Sequence, residues 1–275
     1  MGYRVSLVFC CWIVFAGSLL RAEVITLYDA SRGELPGPQG WLQFASNGQG
    51  SETGVTGGLR LQTAATAQAG YSNHRPLSTP ANPLLVNPAF PSLDREIGFS
   101  LSFELRINNE DHTSNDRAGM SIIFLGADRR GIELGFWEDR VFAQNSNPLF
   151  TRGEESLLDT TASLQMYALS IQGDEYRLEV DSTPLLSGIL RDYTSFTGTP
   201  GGIPYSLGNY LFLGDNTTSA SVDAMLGSVV LNSRLTAIPE PGSFPVLSMT
   251  ALIAVRFHWF FSLLFARLRL FERKQ

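Results

Sequence analysis

The chain has 275 residues, 44% of them hydrophobic and 11% aromatic; that is enough for one large or two small packed domains and excludes an intrinsically disordered chain. Both cysteines, Cys10 and Cys11, fall in the first apolar run, so a mature protein without that run has neither a disulfide nor a thiolate nucleophile. From Glu23 to Thr236 there are 13 Arg and no Lys against 24 Asp plus Glu, a net charge of −11, and so acidic a segment repels nucleic acid and anionic lipid.

Arg4, the apolar run Val5 to Gly17 and the sequence Leu20-Arg21-Ala22 before Glu23 read as a secretory signal that is removed, residues 1–22. The run is short for a bilayer span, and Phe9 stands before Cys10 where a lipoprotein signal needs a small residue.

From Glu23 onward the chain reads as short strands separated by Gly, Pro, Asn and Asp turns. Val24 to Tyr28, Trp41 to Phe44 and Leu59 to Leu61 are predicted strands, while Gln49 to Gly58 and Thr63 to Gly70 read as loops. Asn82 to Pro91 carries Pro83, Pro88 and Pro91 and cannot be an interior strand. Phe99 to Ile107 alternates, with Phe99, Leu101, Phe103, Leu105 and Ile107 on one face and Ser100, Ser102, Glu104 and Arg106 on the other, which is a strand between core and water. Asn115 to Asn145 predicts two adjacent central strands. Met120 to Leu125 is an apolar run suited to burial on both faces, Asp128 to Gly131 is a polar turn, and Ile132, Leu134 and Phe136 then face the core. Glu133, Gly135 and Trp137 are left on a face open to solvent or ligand. Further strands are expected at Leu164 to Ile171, Tyr176 to Val180, Tyr210 to Leu213 and Ser228 to Leu231. No repeat of fixed period and no sustained helical apolar face precedes Pro239. About a dozen strands at this spacing predict one antiparallel β-sandwich over residues 23–236. Val24 to Tyr28 should lie near Ser228 to Leu231 in it.

Two sets of residues carry possible chemistry. Trp137 and Glu133 share a strand face, and an aromatic plate beside a carboxylate suits a sugar ring, the plate covering its C–H face and the carboxylate taking hydroxyls. The alternative is that Trp137 packs under a loop or against the second sheet. Asn108 to Asp116 concentrates oxygen donors, with Asp111, Asn115 and Asp116 as calcium candidates; the alternative is a solvated turn whose side chains bond their own backbone. No other cofactor is expected. Arg117, Arg129 and Arg130 read as partners of Asp116, Asp128 and Glu133 rather than as anion ligands.

The C-terminus is the most specific stretch. A linker, 237–243, contains Pro239-Glu240-Pro241. An apolar stretch from Phe244 to Ala266 follows, interrupted by Arg256 and His258, and then Arg267, Arg269, Arg273 and Lys274. This is the pattern of a transmembrane stop-transfer helix with its basic end in the cytoplasm, over residues 244–275. Arg256 weakens the span by roughly 2.5 to 3.5 kcal/mol. The tail resembles the PEP-CTERM sorting signal of Gram-negative bacteria, with Pro239, Glu240 and Pro241 at the motif positions. That resemblance implies an exosortase as partner, an inner-membrane-anchored precursor, and delivery to the cell surface or extracellular matrix.

The body, in VITLYDASRGELPGPQGWLQFAS, SNDRAGMSIIFLGADRRGIELGFWEDRVFAQN and LGNYLFLGDNTTSASVDAMLGSV, resembles secreted choice-of-anchor domains, which are similar to concanavalin A-like jelly rolls. The resemblance implies two antiparallel sheets with the first and last strands side by side. It implies no activity. The Glu-x-Asp-x-x-Glu triplet of that fold's laminarinase-like glycosidases is absent, since Glu133-Leu134-Gly135-Phe136-Trp137-Glu138 lacks the middle carboxylate. A regular strand also puts Glu133 and Glu138 on opposite faces. His74 and His112, the histidines of the body, lie outside the expected strands. The expected function is therefore a structural or polysaccharide-contacting module without catalysis, the alternative being a polysaccharide-active hydrolase or lyase.

Overall fold

A computed structural model of the chain describes residues 23–46, 49–74, 85–196 and 204–235. Among them are sixteen β-strands, short 3-10 turns and no α-helix. In chain order the strands are β1 (Val24–Tyr28), β2 (Leu42–Ala45), β3 (Ser51–Val55), β4 (Gly58–Gln62), β5 (Ala69–Ser72), β6 (Phe99–His112), β7 (Met120–Leu125) and β8 (Arg130–Phe136). There follow β9 (Arg140–Ser146), β10 (Leu149–Leu157), β11 (Gln165–Gln172), β12 (Glu175–Val180), β13 (Thr183–Ile189), β14 (Arg191–Asp192), β15 (Leu211–Asp215) and β16 (Ala220–Asn232). The expected export signal, the Pro239-Glu240-Pro241 motif and the apolar tail lie outside the described residues. Among the described residues no helix is long and apolar enough to cross a membrane.

The strands form two antiparallel sheets. The first runs β13-β12-β11-β6-β16-β4-β3, with β1 also on β16; the second runs β10-β9-β8-β7-β15-β5-β2, with β14 on β8. Ile25 lies opposite Leu231 and Thr26 opposite Val230, so the first and last strands are neighbours as expected. The alternation of β6 is realised in full: Phe99, Leu101, Phe103, Leu105 and Ile107 are buried and the residues between them half-buried. Their partners across the core are Ile122, Phe124, Ile132, Leu134 and Phe136 of the second sheet. Phe103 stacks on Tyr167 at 5.3 Å and meets Phe136 edge-on at 6.1 Å. Full burial of each such side chain contributes roughly 1.5 to 3 kcal/mol.

Several sequence expectations need correction. Gln49 to Gly58 contains β3, whose side chains are mostly exposed; it is held by backbone pairing with β4 across the tight turn Thr56-Gly57, which leaves no hydrophobic period to read. Thr63 to Gly70 runs into β5, buried between β2 and β15. Small residues there reflect crowding, since a Cβ on Gly70 would sit 2.5 Å from the Leu213 carbonyl oxygen. β6 continues to His112, paired along β16, so Asn108 to His112 is strand and not turn. The second face of β8 is closed as well: all six residues from Gly131 to Phe136 are buried.

Glycine at position 70 is therefore a packing requirement, whereas Gly54 on β3 has open space around it. Gly70→Ala is expected to destabilise by about 1 to 3 kcal/mol and lower Tm by several degrees. Gly54→Ala should leave Tm unchanged or slightly raised. Equal melting temperatures for the two variants would refute this account of β5.

Candidate functional site

The outward-facing side chains of β7, β8 and β15 include Ile123, Leu125, Glu133 and Phe212. Tyr193, Tyr205 and Tyr210, from the chain between β14 and β15, form a second apolar cluster on Ile123, Leu125 and Phe212. That layer is why Glu133 is only 1% exposed. The expectation that Glu133 and Trp137 share an open face is corrected: both are buried, and they stand in different clusters joined through Arg117.

Glu133 is a carboxylate on the wrong side of water, and the structure surrounds it accordingly. The Tyr205 hydroxyl donates to its Oε2. Arg117 Nη2 lies 3.4 Å from Oε1 and donates to the Asn216 carbonyl at 2.8 Å. The Phe150 ring lies over the guanidinium at 4.7 Å, and Asn216 Nδ2 donates to the Tyr205 hydroxyl oxygen at 3.0 Å. Burial first, then the Glu133 charge, raise the Tyr205 phenol well above its usual value, so it stays protonated and a donor.

Trp137 belongs to a neighbouring stack. Its Nε1 donates to the Arg117 carbonyl at 2.9 Å. Its ring lies on His112 at 3.9 Å, nearly parallel, with the Arg152 guanidinium 4.8 Å from the ring centre. His112 Nδ1 is 2.8 Å from Glu110 Oε2, and Glu110 also accepts from the Gly119 backbone at 3.1 Å; burial raises the Glu110 carboxyl. This is the packed arrangement of Trp137 rather than the exposed plate.

The other sequence candidates are dispersed. Asp111 lies in β6 opposite Ser221, and Asp116 Oδ1 accepts from the Arg152 backbone at 2.9 Å. Among the described residues no group of three or more His, Cys, Asp or Glu is placed to hold a metal ion. Arg117 does pair with Glu133, but Arg130 pairs with Asp174 and Asp192, Asp128 with Arg95, and Arg129 donates to the Thr194 carbonyl. His74 is buried, and burial pushes its imidazole down to about 4.

Over the Glu133 cluster opens a cleft of about 550 Å³. Phe150 and Phe196 flank Tyr205, with ring centres 5.7 and 5.3 Å from it, and Asp116, Arg117 and Asn216 are among the other lining residues. Phe150 is 37% exposed and adopts a left-handed φ of 63°. Sequence reasoning missed Phe150, Phe196, Tyr205 and Asn216: Phe150 lies at the irregular start of β10, the others lie in turns or loops, and none shows a period. Beside the cleft Asp215, fully buried at the end of β15, accepts from Thr63 Oγ1 at 2.7 Å and Thr217 N at 2.9 Å. Burial nonetheless pushes its carboxyl up to about 8.

No protein-family model and no curated protein matches the chain. Among solved structures it is similar to a carbohydrate esterase of Shiga toxin-encoding bacteriophage phi24B, at 13% identity and a TM-score of 0.50, covering 78% of this chain and all of the other. A Bacillus subtilis protein of galectin-like fold is 12% identical with a TM-score of 0.47, over 79% of this chain and all of the other. The family 7 alginate lyase A1-II' is 14% identical with a TM-score of 0.41, over 78% of this chain and 94% of its own. At these identities the likeness is one of fold, a two-sheet antiparallel jelly roll.

Asp215 generates a pH prediction. Its folded pKa lies above the unfolded value, so the native state binds the extra proton, and the stability this adds is complete below about pH 4 and lost as pH rises through about 8. Glu110 acts in the same direction. His74, shifted down, acts oppositely between about 4 and 6.5. The unfolding free energy from denaturant titration should therefore fall between about pH 6.5 and 8 by an amount on the order of a few kcal/mol at most, and Asp215→Asn should flatten that slope. An unchanged slope in the variant would remove Asp215 as its source.

Proposed function

We propose that the sandwich is a carbohydrate-contacting module without catalysis, that the cleft over Tyr205 is its contact surface, and that the chain is exported and sorted to the cell surface or matrix of a Gram-negative bacterium. The observation that carries the contact site is the pairing of two partly exposed aromatic rings, Phe150 and Phe196, with polar groups of Asp116, Arg117 and Asn216 around one cleft. Aromatic rings take the C–H face of a pyranose, and a few fixed polar groups take its hydroxyls. Trp137 and Glu133 contribute from beneath by fixing Arg117 at its carbonyl and its guanidinium. Catalysis is left out of this reading because Glu133 is held by Tyr205 and Arg117 and Asp215 by Thr63 and Thr217, leaving Asp116 as the one carboxylate among the described lining residues, whereas glycoside hydrolysis needs a pair. The address rests on sequence alone: residues 1–22, Pro239-Glu240-Pro241, the apolar tail and its basic end, read by an exosortase at the inner membrane.

Two experiments test these parts. A glycan array of the protein should identify a bound carbohydrate, and Phe150→Ala should weaken it by at least tenfold, about 1.4 kcal/mol, with Tm unchanged. Undiminished affinity would move the site elsewhere, and turnover of a bound glycan would replace the non-catalytic reading with that of a hydrolase or lyase. For the address, a tag after Asp29 should report a lower mass and release from the inner membrane only when the sorting enzyme is present and Glu240 is intact. The same mass and location with Glu240→Ala, or without the enzyme, would reduce the tail to a plain anchor.

A further inference from the structure

The charges around the cleft determine which class of sugar it can hold. Arg117 is its cation, and that side chain is already paired within the protein. Nη2 donates to the Asn216 carbonyl at 2.8 Å and faces Glu133 at 3.4 Å, while the Phe150 ring covers the guanidinium at 4.7 Å. Nη1, which has no hydrogen-bond partner, is sealed from solvent inside the fold. Asp116 adds a carboxylate to the same wall, and its Oδ1 is matched by the Arg152 backbone N–H at 2.9 Å rather than by a cation. With Arg117 offset by Glu133 and Asp116 left over, the wall carries a net negative charge. Around it stands a body of net charge −11. The rest of the described lining is neutral, the Asn216 amide and the Phe150 and Phe196 rings included.

From this we infer that the cleft accepts uncharged hexose units and rejects uronates and other acidic sugars. The inference rests on the reading of the cleft as a carbohydrate site and names the substrate class for it. An incoming carboxylate would lose part of its hydration and find the lining cation already paired with Glu133, while facing the Asp116 carboxylate. A neutral pyranose pays no such penalty. It places its C–H face on Phe150 and its hydroxyls on Asn216 and Asp116, carboxylates being strong acceptors from hydroxyls. Discrimination here comes from a repulsive element built into the wall as much as from attraction.

The test is calorimetric titration of the full chain, in detergent, with neutral glucan and mannan hexasaccharides and with mannuronate and galacturonate hexasaccharides. The neutral ligands should bind with an affinity insensitive to salt, and the uronates at least tenfold more weakly, the gap narrowing at high ionic strength. Asp116→Asn, which keeps an acceptor for the Arg152 N–H, should narrow the gap by at least threefold through the uronate arm alone. Glu133→Gln should do the same by freeing charge on Arg117, and the Asp116 variant decides the matter where the Glu133 variant fails to fold. Uronates binding as well as or better than neutral sugars, or a ratio unmoved by Asp116→Asn, overturns the inference while leaving the carbohydrate reading in place. Binding of neither class overturns both.

Discussion

One carboxylate sets the terms for the outer face of the second sheet. Glu133 alternates away from the core by strand geometry, yet the Tyr193 and Tyr205 layer removes it from water. A buried charge of that kind costs several kcal/mol unless it is paired and hydrogen-bonded. Satisfying it fixes two distant pieces of chain at once: Arg117, before β7, and Tyr205, in the turn Pro204–Ser206 before β15. The cleft exists because those two pieces meet over β8. Removing Arg117 would leave an uncompensated charge, a loss of roughly 3 to 5 kcal/mol, and removing Tyr205 would take the donor from Oε2, so the geometry of the cleft floor is tied to folding itself.

The covering layer has its own anchor. β14 pairs with the start of β8, Arg191 opposite Gly131, and Gly131 permits this crowded edge because a Cβ there would meet the Phe124 carbonyl at 2.1 Å. Arg191 then donates to the Gln144 carbonyl at 2.9 Å and pairs with Glu154 on β10. The chain therefore leaves β14 already above the outer face, and Tyr193 comes down on Tyr205 with ring centres 4.7 Å apart. Ion pairs at this site act as placement devices; the apolar contacts beneath them contribute the larger stabilisation.

The sandwich was legible in the sequence wherever a strand has one wet face. β6 and β11 alternate cleanly, and the pairing of β1 with β16 follows from a jelly roll whose ends meet. Legibility failed where pairing is carried by backbone alone, as in β3, or where packing demands small residues, as in β5. The candidate site was legible only in its supports. Alternation put Glu133 on the second face of β8, but a period of two cannot say whether a third layer lies over that face, and Trp137 falls just beyond the end of the strand. Tyr193, Tyr205 and Phe196, which form it, sit in a segment without periodicity, so the burial of Glu133 and the cleft above it could come only from the fold.

Phe150 shows how the layer and the cleft are connected energetically. A bulky residue in the left-handed region costs about 1 to 3 kcal/mol, and position 150 adopts it with a φ of 63°. A glycine or asparagine would meet the same backbone demand with less strain. What the ring gains in return is its contact with the Arg117 guanidinium at 4.7 Å, worth about 0.5 to 1 kcal/mol at an exposed site and nearer 2 when desolvated, together with the edge of Tyr205. The two sums are comparable, so folding stability gives little reason for a large aromatic at this position. Its placement makes sense as part of the cleft: it shields the Arg117 charge from an approaching anion and offers a face to a neutral ring. One side chain thereby links the pairing of a buried glutamate to the kind of molecule the surface can hold.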